Sequence, residues 1–143
     1  DTCIEAEAHA TVGAIFASEG ETGFRARESR ALKDMLMNAH ASVIATGGGA
    51  VLDEANRRAI RDAGTVVYLQ VEPATQMQRL QGDDTRPLLG TDNRSQRLAQ
   101  MQAEREPLYR DVADLVFDTV PHAPESAADA LATLLTRATE HCA

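Results

Sequence analysis

Tryptophan is absent from this chain of 143 residues, and three phenylalanines and two tyrosines supply all its aromatic surface. The core must therefore be built from Ala, Val, Leu and Ile, which a hydrophobic content of 43% permits. Lysine is nearly absent as well: Lys33 is the only one among 14 basic residues. Cysteine is confined to Cys3 and Cys142, at opposite ends and without CxxC or metal spacing, so a reduced pair is expected rather than a disulfide. No apolar run approaches the roughly 20 residues that cross a bilayer, and no signal-peptide pattern is visible. These absences predict a cytoplasmic protein without a membrane partner. The net charge of −8 argues against a nucleic-acid partner. Length, together with the lack of internal repeats, low-complexity tracts or a second-domain boundary, predicts a single domain over 1–143, expected as a monomer. The first residue is Asp rather than Met, which suggests a piece of a longer chain or a processed start.

What is present reads as alternating strands and helices. Ser42–Thr46, Thr65–Val71 and Leu115–Asp118 are short apolar runs without polar alternation, the pattern of strands covered on both faces. Between them lie helical patterns. Arg27–Ala39 sets Ala31, Met35 and Ala39 on one face, with Leu32 and Leu36 beside them. Asp53 is placed to cap a helix ending at Ala63 before Gly64, and Pro73 opens another through Leu80. Arg94–Glu106 turns Leu98 and Met101 inward. Pro124 opens a last helix with Ala127, Leu131, Leu134 or Leu135, and Ala138 on one face. This order predicts an α/β fold with a parallel sheet flanked by helices. Residues 82–93 lack periodicity and read as a lid.

The chemistry-bearing features are glycines and arginines. Ala45-Thr46-Gly47-Gly48-Gly49 follows an apolar run, so a ligand can lie against bare backbone at the carboxyl end of a strand. The ordinary alternative is a tight turn. Arg25, after Gly23-Phe24, sits uneasily near a helix start unless an anion faces it; otherwise it is a solvated charge. Arg105 has the same ambiguity, since it can pair with Glu104 or Glu106. Two arginines converging on one carboxylate would make a coherent site. Arg86, in Asp84-Thr85-Arg86-Pro87-Leu88-Leu89, is aimed by a stiff neighbour and suits transferring phosphate oxygens, or is a loop surface charge. His9, His40, His122 and His141 show no ligand spacing. Phe16, Phe24 and Met77 read as core.

Taken in order, Asp1-x-x-Ile4-Glu5, Ile15-Phe16, Glu19-Gly20-Glu21, Gly23-Phe24-Arg25, Ala45-Thr46-Gly47-Gly48-Gly49, Val66-Val67-Tyr68-Leu69, Arg86-Pro87-Leu88-Leu89, Arg105-x-Pro107-Leu108-Tyr109 and Asp118-Thr119 resemble the shikimate kinase family. The likeness runs from Asp1 to about Leu135. It implies a P-loop, nucleoside-monophosphate-kinase-like fold and transfer of the ATP γ-phosphoryl group to the 3-hydroxyl of shikimate, with Mg2+. It implies that Asp1 contacts that hydroxyl and that Arg25 and Arg105 hold the carboxylate. Gly47, Gly48 and Gly49 would line the pocket, and lid residue Arg86 would reach the phosphates. Arg79 would lie over adenine, and the stretch from Thr119 to Pro124 would form the adenine loop.

The chain departs from that pattern in three respects. The family's Walker A loop, GxxxxGK followed by Ser or Thr, does not occur in it. Lys33 has no glycine before it, and the magnesium-binding Asp two positions before that of Asp1 has no counterpart. No metal ligand is therefore expected here. The family's first strand, central in a sheet of order 2-3-1-4-5, lies with that loop and would be missing too. These 143 residues are thus expected to be the substrate-and-lid portion of a kinase, inactive alone. Two alternatives stay open. Shikimate-kinase-like domains also serve as ligand sensors in transcription regulators, and a small-metabolite kinase such as gluconate kinase shares the fold. An intact pair of Arg25 and Arg105 favours recognition of shikimate over both.

Overall fold

The protein is described by a computed structural model that covers residues 1–38, 42–79 and 94–140. Helix α1 (Thr2–Ala8) ends at His9, which takes a left-handed conformation (φ 50°) and returns its amide to Glu5 O. The Glu5 side chain then accepts from Val12 N at 2.9 Å, which fixes the corner into α2 (Val12–Met37). Thr11 caps α2 by accepting from Ala14 N at 3.2 Å. The helix is broken at Gly20, whose φ of 68° and ψ of −175° suit glycine alone. Phe16 and Phe24 meet across this break with ring centroids 4.6 Å apart. Ile4, Ile15, Phe24 and Ala31 form the core of this half, with Phe16 packed against it.

Gly47–Gly49 lead into a 3-10 turn (Ala50–Leu52) and then α3 (Glu54–Ala63). Asp53 caps α3 as the sequence predicts, its Oδ1 accepting from Ala55 N at 2.7 Å and Asn56 N at 3.1 Å. Buried Asn56 donates to Ser29 Oγ at 3.0 Å and Ala50 O at 3.1 Å, tying α3 to both α2 and the turn below the glycines.

Strand β1 (Val67–Gln70) runs parallel to β2 (Leu115–Asp118), with Val67 opposite Leu115 and Gln70 opposite Asp118. Helices α4 (Pro73–Arg79) and α5 (Arg94–Val112) lie between them in the chain, and α6 (Pro124–Glu140) follows β2. Leu98 is buried, with Met77 and Met101 against it, so α4 and α5 share a second small core. On α6, Ala127, Leu131 and Leu135 are half-buried while Leu134 is exposed, which resolves the choice at that face. The α/β reading with a parallel sheet holds.

Three details differ from the sequence reading. Ser42–Thr46 is not a strand: among the described residues nothing pairs with its backbone, and Val43 is fully exposed. An apolar run makes a strand only where a neighbour completes its hydrogen bonds. Helix α2 starts well before Arg27, and α5 continues through Pro107 to Val112 instead of stopping at Glu106. The lid expected over 82–93 lies outside the described residues, as do His40 and His141.

Candidate functional site

The three glycines form a floor, and each meets a different side chain. A β-carbon on Gly47 would lie 2.9 Å from Glu28 Oε1 and 3.9 Å from Asp1 Oδ1. One on Gly48 would lie 2.7 Å from the Tyr109 hydroxyl and 3.8 Å from Arg105 Nη1. At Gly49 it would overlap the Arg25 guanidinium. The structure therefore brings Asp1, Arg25 and Arg105, from three distant parts of the chain, to one glycine surface.

Backbone bonding gives the floor a direction. Gly47 O accepts from Ala50 N at 3.1 Å, Gly49 O accepts from Leu52 N at 3.0 Å, and Gly48 O accepts from the Tyr109 hydroxyl at 2.7 Å. All three carbonyls are taken, while the three amides have no partner among the described residues. Free amides on a glycine surface are donors for an anion or a hydroxyl oxygen.

Arg25 donates from Nη1 to Glu28 at 2.6 Å and from Nη2 to Glu21 at 3.3 Å, and its guanidinium lies 5.4 Å from the Phe24 ring centroid. Glu28 is a buried carboxylate, 8% exposed in its side chain, and the arginine offsets its charge. The Nε groups of Arg25 and Arg105 are both buried without a partner. Two guanidiniums, each with an unpartnered Nε, converge on one glycine surface, an arrangement that suits a small carboxylate. A cavity of about 140 Å³ runs from Asp1 past Glu28 to Gly47, and an open one of about 600 Å³ lies beside Arg25 and Gly49.

Tyr109 belongs to a braced cluster. Its ring stacks on Tyr68, with centroids 4.9 Å apart and planes at 25°. The Tyr68 hydroxyl donates to Glu106, which also accepts from Gln102 at 2.7 Å, Arg110 at 2.8 Å and Gln70 at 3.2 Å. Burial, and then the bond to the Glu106 carboxylate, pushes Tyr68 up to about 12. Burial likewise raises Tyr109 above the ordinary phenol range, while the neighbouring Arg105 and Arg25 charges pull it down. Both tyrosines are therefore neutral donors near pH 7.

Of the other expected site residues, Arg79 stands apart from the floor. It donates to Thr119 Oγ1 at 3.1 Å and to Thr119 O at 2.9 Å, and so meets the first residue of the stretch that ends at Pro124, where α6 begins. Arg86 lies outside the described residues. Sequence reasoning missed Glu28 and Tyr109. Each stands one helical turn beyond a predicted arginine, three residues after Arg25 and four after Arg105, and that spacing was the available signal. His122 stacks on Phe117 at 5.3 Å. Among the described residues no group of three or more His, Cys, Asp or Glu side chains is placed to hold a metal ion, and no helix is long and apolar enough to cross a membrane.

The family model for shikimate kinase matches residues 1–136. The chain belongs to the shikimate kinase family. A shikimate kinase of Stenotrophomonas maltophilia is 46% identical over 137 residues, which cover 96% of this chain and 74% of that protein. One of Halorhodospira halophila is 48% identical over 119 residues, 83% of this chain and 67% of its own. Among solved structures, shikimate kinase from Acinetobacter baumannii in complex with shikimate matches with a TM-score of 0.88 and 39% identity, covering 96% of this chain and 76% of that one. The α/β architecture is thus that of the family.

Proposed function

We propose that this chain forms the shikimate-binding part of a shikimate kinase that transfers the ATP γ-phosphoryl group to the substrate 3-hydroxyl. The observation that carries this reading is the meeting of Arg25 and Arg105 over Gly48 and Gly49, each with a buried, unpartnered Nε. The two guanidiniums grip the carboxylate, and the free amides of Gly47–Gly49 receive ring oxygens. Asp1, across the floor beside Gly47, accepts a hydrogen bond from the 3-hydroxyl and takes its proton as that oxygen bonds to the γ-phosphorus, whose bond to the β,γ-bridging oxygen breaks to release ADP. The sensor reading loses ground, because a receptor for another ligand has no use for this carboxylate grip.

ATP supplies the phosphoryl group. On the nucleotide side, the chain offers the exposed, planar Arg79 at the Thr119–Pro124 loop, a fit to a flat base. Arg86, which lies outside the described residues, is assigned to the phosphate oxygens. The described residues offer no ligand cluster for Mg2+, so no step is assigned to the metal here. The enzyme is further proposed to be cytoplasmic and monomeric, and to act without nucleic acid.

Calorimetric titration of the chain with shikimate tests the reading, with Arg25→Ala and Arg105→Ala as variants. Each truncation removes a charge-assisted hydrogen bond and is expected to cost about 1.5–3 kcal/mol of binding. Unchanged affinity in both variants would remove shikimate as the ligand.

A further inference from the structure

We propose that Tyr109 is a positioning residue of this pocket, whose hydroxyl sets the height of the glycine floor beneath Arg105. The inference rests on the shikimate reading above and adds to it a residue that touches no substrate.

The observation is the bond from the Tyr109 hydroxyl to Gly48 O at 2.7 Å, made between residues 61 positions apart. The carbonyls of Gly47 and Gly49 are held by amides only three residues further on, so their bonds move with the turn itself. Gly48 O alone is tied to a different element, α5. That helix also carries Arg105, and Arg105 Nη1 lies close to the same glycine. One helix thus supplies both the cation above the floor and the pin that holds the floor. Among the described residues no ladder bond holds the segment leading into the floor, 42–46.

The phenol is itself held. Tyr68 stacks on its ring and is anchored through Glu106 to Gln102, Gln70 and Arg110. Burial favours the protonated, donating form of Tyr109. The fit is close enough that a methyl group on Gly48 would collide with the hydroxyl, at 2.7 Å, while the ring carbon behind it lies at 3.8 Å, an ordinary contact.

Two measurements test this. In the first, shikimate affinity is compared in the parent chain, Y109F, G48A and the double variant. Y109F is expected to bind about fivefold more weakly, the size of one lost neutral hydrogen bond. Gly48→Ala is expected to cost less in the Y109F background than in the parent, because the colliding atom is gone. Unchanged Y109F affinity overturns the proposal, and so do additive losses, which would mean that the hydroxyl does not meet Gly48 in the binding-competent protein. In the second, which does not require Y109F to fold, tyrosine emission is followed in Y68F during titration with shikimate. Tyr109 is then the sole emitter, as the chain has no tryptophan. A saturable change is expected, and constant emission while calorimetry records binding overturns the proposal. If the parent chain does not bind shikimate at all, the functional reading itself fails, a result separable from parent binding with an indifferent Tyr109.

Discussion

The guanidinium of Arg25 occupies the space that a side chain on Gly49 would need. Glycine at 49 is therefore a requirement of the arginine's position, not of backbone conformation. Gly49→Ala is expected to push the guanidinium off the floor and to lower shikimate affinity by at least tenfold. The displaced guanidinium gives up a charge-assisted hydrogen bond to the substrate, about 1.5–3 kcal/mol. Calorimetry on the variant checks it, and wild-type affinity would show that Arg25 can act from elsewhere.

Glu28 is the buried counter-charge of Arg25, at 2.6 Å. Glu28→Gln keeps the shape and removes the charge. The expected result is a loss of roughly 1–3 kcal/mol of stability, read by urea unfolding, together with weaker shikimate binding as Arg25 loses its aim. Arg25 is 23% exposed in its side chain, so solvent offsets part of the loss and the low end of that range is expected.

Tyr68 links the fold to alkaline pH. Its folded value of about 12 lies above the ordinary phenol value of 10. A raised value means that the folded state holds its proton more tightly than the unfolded chain. That contribution is complete below pH 10 and is lost as pH rises from 10 towards 12. Tyr109, also raised above the ordinary phenol range, acts in the same direction, so the comparison with Y68F isolates the Tyr68 share. Stability should fall across this window in the parent chain and fall less steeply in Y68F. Denaturation midpoints at stepped pH give the comparison.

Gly20 holds φ 68° and ψ −175° in the middle of α2. A β-carbon there meets no neighbour, so the cost of Gly20→Ala is conformational alone. A destabilisation of about 1–3 kcal/mol is expected, visible as a lower thermal midpoint. An unchanged midpoint would mean that the helix straightens through this position without penalty.

Local chemistry made much of this fold legible. The Asp53 cap, the Pro73 start and strand β2 appear where turn chemistry and apolar runs put them, because each depends on residues within a few positions. Ser42–Thr46 failed for the opposite reason: its apolar run is as good as that of β1, but a ladder needs a second strand, and sequence does not display one. The arginines of the candidate site were readable from their motifs. The roles of Glu28 and Tyr109 were not, since burial and a contact across 61 residues are properties of the folded chain. Helix α2 was read short because its first half carries Gly13, Gly20 and Gly23, poor helix formers that break the periodic pattern.

The bend at Gly20 is clasped on two sides by unlike forces. Phe16 meets Phe24 on one, and on the other Arg27 reaches back to Glu19 at 2.8 and 2.9 Å. A kosmotropic salt such as a sulfate screens the exposed ionic clasp while it strengthens the apolar one. The angle at which this elbow presents Arg25 should thus be buffered against the concentration of such a salt, so that any salt dependence of ligand uptake reports the attraction between opposite charges and not a change in the shape of the receptor.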